Sequence, residues 1–377
     1  MRCEAPVESQ VRQRAAEGRD DGEAGIAAPA GHWRLAWLPP GDAVPCSLLI
    51  DRRAFTACLL LLAALMAASL AYLAMGSSGL APRAVLPALV GRGEMMAVFL
   101  VQELRLPRLV AACLTGAAFG VAGCLMQTLA RNRLATPGII GIDNGATAFA
   151  VASVVGLGVS LAPPAMALAG AATAAAITFG LAAGGGTRGY RFIIAGIGVG
   201  AVFGAITQLL LAKVAIDTAN AAYPWTVGSL NARPAGAVTL LAIGLAVGLA
   251  AALGLTRSLS LLRFSDAVAT TLGIHVARRR WQVLVVSVLL TGLAVAVAGP
   301  VGLVGLIGPE IARSLSSPRG VPVVASALAG ALVMVLADLA GRVLLAPIEI
   351  PVGIVTSVVG GPWLLWILLR PASRNLA

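Results

Sequence analysis

The chain has 377 residues, of which 59% are hydrophobic and only 11% charged, with a formal net charge of +11 and a mean hydropathy of +0.92. A water-facing protein of this length would form two or three domains and need far more charge on its surface, so lipid must cover much of this one. The basic excess is accounted for by anchoring beside an anionic inner membrane surface, and nucleic acid is not required as a partner.

Residues 1–53 differ from the rest, with Glu4, Glu8, Arg12, Arg14, Glu17, Arg19, Asp20, Asp21 and Glu23 preceding an Ala-, Gly- and Pro-rich stretch. They read as a disordered cytoplasmic extension without an assigned function. A cleavable signal peptide fits poorly, because the first long apolar run begins only near residue 54.

From there, residues 54–377 read as an all-α polytopic membrane domain. Ala54 to Pro82, Leu109 to Ala130, Gly145 to Thr187, Phe192 to Ala212, Pro234 to Thr256, Trp281 to Pro309, Val321 to Ala337 and Ile350 to Leu369 contain no Asp, Glu, Lys or Arg. A helical crossing needs roughly 20 mostly apolar residues. The runs predict about ten helices, near 56–76, 108–129, 138–160, 161–184, 191–213, 236–256, 281–298, 301–314, 321–342 and 351–369. The piece at 301–314 is about 21 Å long, too short for a level span, so it is tilted, broken or sunk in the bundle. Barrel strands would be near ten residues with alternating polarity, a pattern these runs lack. Gly116 with Gly120, Gly196 with Gly200, and Gly200 with Gly204 read as seams that let helices approach closely.

With ten crossings and the amino terminus inside, fifteen basic residues fall on inner segments, including Arg131, Arg133, Arg263, Arg278, Arg279 and Arg280. Seven fall outside: Arg83, Arg92, Arg105, Arg108, Lys213, Arg233 and Arg342. That bias places both termini in the cytoplasm. Cys3, Cys46, Cys58, Cys113 and Cys124 form no CxxC pair, and His32 and His275 are the two histidines, so no metal or haem centre is expected. The sequence lacks GxxxxGK[ST], so the chain is not itself an ATPase and any nucleotide hydrolysis belongs to a partner.

Four constellations stand out. In Arg105-Leu106-Pro107-Arg108, Pro107 suits the first turn of a helix and leaves the two arginines at the membrane face. There they either receive carboxylates from an external partner or snorkel to lipid phosphate. Within the inner segment 257–280, Ser265 is a helix cap with Asp266 in the first turn, followed by the apolar turn Leu272, Gly273 and Ile274. This is either a short helix docking into a soluble subunit or an ordinary interfacial loop. The stretch Ala298-Gly299-Pro300-Val301-Gly302-Leu303-Val304-Gly305, then Gly308, Pro309, Glu310 and Arg313, allows a broken helix if protein or a water-filled cavity satisfies the freed backbone. It is a gating or path-lining candidate, with Glu310 and Arg313 spaced for an ion pair. Finally, Asp338 and Arg342 are i,i+4 neighbours, ahead of Glu349, Pro351 and Gly353.

Taken in order, these fragments make the sequence resemble the permease subunit of type II ATP-binding-cassette importers, the FecCD group that handles ferric siderophores, haem and cobalamin. The resemblance also rests on Gly123-Cys124-Leu125-Met126-Gln127, Arg131-Asn132-Arg133-Leu134-Ala135-Thr136-Pro137-Gly138 and Trp225-Thr226-Val227-Gly228-Ser229-Leu230, and spans about residues 56 to 370. Two positions depart from the family pattern: Glu310 stands where histidine is usual, and Arg133 replaces the proline of Asn-Pro-Leu-Ala.

The resemblance implies a homodimer of ten-helix subunits in the bacterial inner membrane, two cytoplasmic ATPase subunits that use ATP and Mg, and an extracytoplasmic substrate-binding protein. It implies that Arg105, Arg108 and Arg342 receive acidic residues of the binding protein. The segment around Leu272 and Gly273 is then the coupling element seated in the ATPase, and this chain holds no cofactor. Ferric siderophore is the leading substrate, with haem and cobalamin as alternatives. An ion-coupled secondary transporter is the rival mechanism, although most spans lack the mid-membrane charges such proteins use.

Overall fold

A computed structural model describes residues 31–37, 46–75, 82–156, 161–182, 190–316 and 320–369. Much of the 1–53 extension lies outside them, as do Arg188, Arg319, Arg370 and Arg374. The chain divides into two compact units, Met1–Arg52 and Arg53–Ala377. In the first, β1 (His32–Trp37) pairs antiparallel with β2 (Cys46–Asp51), in a register that sets Trp33 opposite Ile50 and Leu35 opposite Leu48. This hairpin is an element the sequence reading did not assign.

The second unit is helical. In chain order its elements are α1 (Arg52–Ala74), α2 (Pro82–Leu89), α3 (Met95–Ala130), a 3-10 turn (Pro137–Ile140), α4 (Ile142–Val155), α5 (Pro163–Ala182), α6 (Tyr190–Ala212) and α7 (Ile216–Val227). There follow α8 (Ala235–Leu262), α9 (Asp266–Thr271), α10 (Val276–Ala298), α11 (Val304–Leu315), α12 (Val323–Val343) and α13 (Val352–Leu369). Among the described residues, 7 helices are long and apolar enough to cross a membrane: α1, α3, α5, α6, α8, α10 and α12. Two shorter apolar helices, α4 and α13, fall at expected spans, and α11 is the short piece anticipated near 301–314. Helices α2 and α7 are additions.

Helix α3 starts well before residue 108. Pro107 has no N–H to donate and does not begin the helix; it follows a π-helical turn, Leu100–Arg105, in which the Leu106 N–H reaches back to Val101 O. The wider turn makes room for the proline ring.

Burial identifies the centre of the bundle. In its most apolar window α3 is 78% buried, and α10 and α12 are each 61% buried, against 17% for α8 and 28% for α1 and α6. Small residues permit this. A Cβ added to Gly120 would lie 2.1 Å from Ser326 O, and one added to Gly330 would lie 2.2 Å from Gly116 O, so α3 and α12 touch backbone to backbone. Gly141, with φ +80, meets Gly196 and Gly200 in the same way, but Gly204 has nothing within 4 Å, so the seam on α6 ends at Gly200.

Between α10 and α11 the chain is not helical, and the carbonyl that ends α10 finds its partner inside the bundle. Ser229 N donates to Ala298 O at 2.7 Å, and Gly353 N donates to Gly228 O at 3.2 Å. Gly228 and Gly299 both have positive φ, and a Cβ on Gly353 would fall 1.7 Å from Val227 O. The ends of α7 and α10 and the start of α13 therefore form one junction that only glycine fits.

Gly120→Val forces the α3–α12 contact apart, and overpacking of this kind costs about 1–3 kcal/mol or more. Its thermal unfolding midpoint in detergent is expected to fall clearly below that of the wild type, while Gly204→Val stays close to it. Equal midpoints for the two variants would contradict the assigned seam.

Candidate functional site

Two polar regions sit at opposite ends of α3. At the first, Arg108 grips Asp338 of α12 with both arms of its guanidinium, Nε to Oδ2 and Nη2 to Oδ1, each at 2.9 Å. Its Nη1 donates to Glu349 Oε2 at 2.7 Å, and the Tyr72 hydroxyl of α1 donates to Asp338 Oδ2 at 2.6 Å. Asp338 and Tyr72 are fully buried. A carboxylate in such a place is sustained only by charge-assisted hydrogen bonds, and here it accepts three.

Arg342, one turn beyond Asp338, lies over the Tyr72 ring, 4.9 Å from its centroid, with Nε 3.9 Å from Glu349 Oε1. Its Nε and Nη1 are buried and have no hydrogen-bond partner among the described residues. Arg105 is turned inward, 3% exposed, and donates to Leu73 O and Ala74 O, closing the end of α1. Of the three arginines expected at a docking face, Arg105 is therefore occupied inside the chain and Arg108 is held by two carboxylates. Arg342 keeps unused donors.

These groups border an open cleft of about 360 Å³ whose wall includes Glu103, Arg105, Arg108, Arg233, Arg342 and Glu349. Arg233, between α7 and α8, stacks on Trp225 at 4.2 Å and donates from Nε to Ser229 O at 2.9 Å. Burial lowers its pKa to about 10, so it stays charged at neutral pH, and its Nη2 has no hydrogen-bond partner among the described residues. Four arginines against two glutamates give the cleft wall a positive balance.

At the other end, α9 is built as the sequence suggests. Ser265 Oγ accepts from Val268 N at 3.3 Å, and Asp266 binds Arg131 at 3.2 Å and also Arg280. Gly273, with φ +80, closes the helix: its N–H reaches Thr270 O while the Ile274 N–H reaches Ala269 O. Ala269 is buried beneath, whereas Phe264, Val268 and Leu272 are 57%, 44% and 57% exposed. Val268 and Leu272, spaced four apart, share one face of a helix tied down by ionic contacts, and Phe264 is exposed just ahead of its cap.

The expected path-lining set divides. Gly302 faces open space and Pro300 is half-buried, while Gly299 belongs to the glycine junction. Gly305, Gly308 and Pro309 are buried in packing: a Cβ on Gly123 would fall 1.7 Å from Gly305 O, and one on Gly308 would lie 3.0 Å from Gly330. Glu310 accepts from Arg133 Nη1 at 3.3 Å and Arg313 Nη2 at 2.8 Å, and Arg313 also donates to Gln127 Oε1. The two departures from the family pattern, Arg133 and Glu310, thus meet each other.

Tyr72, Gln127, Arg233 and the pairing of Asp338 with Arg108 were not identified from sequence. The last follows from the register of α3 on α12, which sets Gly116 beside Gly330 and so residue 108 near residue 338, and sequence spacing alone does not give that register.

The model of the FecCD transport family matches residues 61–370. The ferric enterobactin transport system permease protein FepG of Escherichia coli (strain K12) is 35% identical over 329 residues, covering 87% of this chain and 100% of that protein. The achromobactin transport system permease protein CbrC of Dickeya dadantii (strain 3937) is 38% identical over 322 residues, covering 83% of this chain and 90% of that protein. Among solved structures, an inward-facing metal-chelate type ABC transporter superposes with a TM-score of 0.73 at 24% identity, over 84% of this chain and 100% of that one. That likeness supports the same helical fold.

Asp338→Asn removes the charge that holds Arg108, and breaking a buried pair from one side costs about 3–5 kcal/mol. Tyr72→Phe, which deletes one hydrogen bond to a charged group, is expected to cost about 1.5–3 kcal/mol. Because both act on one carboxylate, the double variant should lose less than the sum in denaturant unfolding. Wild-type stability of Asp338→Asn would contradict the network.

Proposed function

The chain belongs to the FecCD transport family, and from that membership we propose that it is the substrate-conducting permease of an ATP-driven importer of ferric siderophores. It is a multi-pass membrane protein. In this reading two copies form the conduit in the bacterial inner membrane, with both termini in the cytoplasm. Two ATPase subunits, which use ATP and Mg, sit below them, and an extracytoplasmic binding protein delivers substrate from the other side. The substrate assignment draws on FepG and CbrC, whose names state ferric enterobactin and achromobactin transport. It places haem and cobalamin behind ferric siderophores.

The observation that carries the proposal is α9. Val268 of α9, with Leu272 at its end and Phe264 just before its cap, leaves large apolar side chains exposed, a surface suited to a covering partner. The ties of α9 through Asp266 to Arg131 and Arg280 pass any displacement by the ATPase to α3 and α10. Glu310, bound to Arg133 and Arg313, links α11 to the same end of α3. ATP binding and hydrolysis then bias a two-state equilibrium of the helices, opening the path alternately to each side.

At the opposite end, Arg342 is the primary receptor for an acidic residue of the binding protein, because it lines the cleft and meets Glu349 at 3.9 Å, a looser contact than the 2.7 Å that Arg108 makes. Arg108 joins it by releasing Glu349, which is 48% exposed, while Asp338 stays in place. Arg105 shapes the cleft from within.

In an importer reconstituted with its ATPase and binding protein, Leu272→Asp is expected to insert normally yet lose uptake and the stimulation of ATP hydrolysis by loaded binding protein. Normal coupling would reject the role of α9. Arg342→Glu is expected to weaken binding-protein affinity at least about tenfold, equivalent to the loss of one charge-assisted contact. Unchanged affinity would remove Arg342 from the docking face.

A further inference from the structure

At the end of the bundle that carries α9, a pocket of about 360 Å³ opens between the end of α3, the end of α8 and the approach to α12. Its wall carries Arg131, Arg133, Arg263, Arg313 and Gln127, and no carboxylate. Asp266 and Glu310 engage some of these guanidinium groups from outside the wall: Asp266 takes Arg131 Nη2, and Glu310 takes Arg133 Nη1 and Arg313 Nη2.

Two further donors are buried there without a hydrogen-bond partner among the described residues, Gln127 Nε2 and Arg313 Nε. The Gln127 side chain is 3% exposed, and its orientation is fixed because Arg313 donates to its Oε1. Its amide N–H₂ therefore has only donors to offer. An unpaired buried amide is costly, which makes this wall an invitation to an acceptor.

The chemistry of that acceptor follows from the geometry. Four guanidiniums from three parts of the chain surround a single space. One carboxylate offers two oxygens and a single charge and reaches two guanidiniums, as Asp266 and Glu310 each do, which leaves the others of the four unmatched. A phosphate group offers at least three acceptor directions and spans several forks at once. We propose that this pocket is a phosphate-binding site, which fastens the end of α3 to the end of α8 and to the end of α11. The phosphate belongs either to the headgroup of an anionic lipid or to a free phosphate ion. The site is independent of the importer reading, since its occupation requires neither ATPase nor binding protein.

The test uses the full-length chain in nanodiscs of phosphatidylcholine alone, titrated calorimetrically with inorganic phosphate. In parallel, nanodiscs containing phosphatidylglycerol are assayed by native mass spectrometry for lipid retained on the protein. Wild type is expected to hold phosphate in at least one arm. Retained phosphatidylglycerol without inorganic phosphate binding identifies the headgroup, and the converse identifies the free ion. Arg133→Gln, at the 71% exposed rim, is expected to weaken binding about tenfold through loss of one charge-assisted contact. Gln127→Glu, which sets a carboxylate inside the pocket, is expected to abolish it. If Gln127→Glu does not fold, Arg133→Gln decides. No binding by wild type in either arm, or wild-type binding by folded Arg133→Gln, overturns the proposal.

Discussion

Within the hydrocarbon layer no water satisfies a backbone group that leaves a helix, so every break must find its partners in protein. In this chain the condition is met at one junction, where Gly228, Gly299 and Gly353 bring the ends of α7 and α10 and the start of α13 to backbone contact. The Ser229 N–H takes the Ala298 carbonyl and the Gly353 N–H takes the Gly228 carbonyl. The Arg233–Trp225 stack is built on the same turn, through the bond from Arg233 Nε to Ser229 O.

Charge obeys the same rule. Asp338 is tolerated at zero exposure because α1 and α3 both send donors to it, which makes Tyr72, Arg108 and Asp338 a three-helix rivet at one end of the bundle. At the other end, Asp266 and Glu310 each bind two arginines and tie α9 and α11 to the end of α3. Helix α3, the most buried of the long spans, is thus clamped at both ends by ion pairs and pressed along its middle against Gly330.

Much of this was legible in the sequence because lipid simplifies the code. Charge-free runs located the spans, Gly116 and Gly120 marked the seam with α12, and Ser265 with Asp266 marked the start of α9. The failures share a physical cause, namely dependence on a partner distant in the chain. The first turns of α3, from Met95 to Pro107, were hidden because Pro107 looks like a first-turn residue unless the π-helical turn before it is known. Arg105 and Arg108 looked exposed because the carbonyls of α1 and the carboxylates of Asp338 and Glu349 that hold them lie about 30 to 240 positions away. Gly204 matched a small-residue spacing but meets no neighbour, since spacing reports a face and not its occupant.

In the proposed importer the exposed apolar residues around α9 serve coupling to a soluble partner, which a self-sufficient ion-driven carrier does not need. The most direct test is uptake into proteoliposomes holding the chain with its ATPase and binding protein, offered ferric siderophores, haem and cobalamin in turn. The account predicts accumulation of a ferric siderophore that requires both ATP and the binding protein. Uptake by the chain alone, driven by an ion gradient and indifferent to ATP, would contradict it.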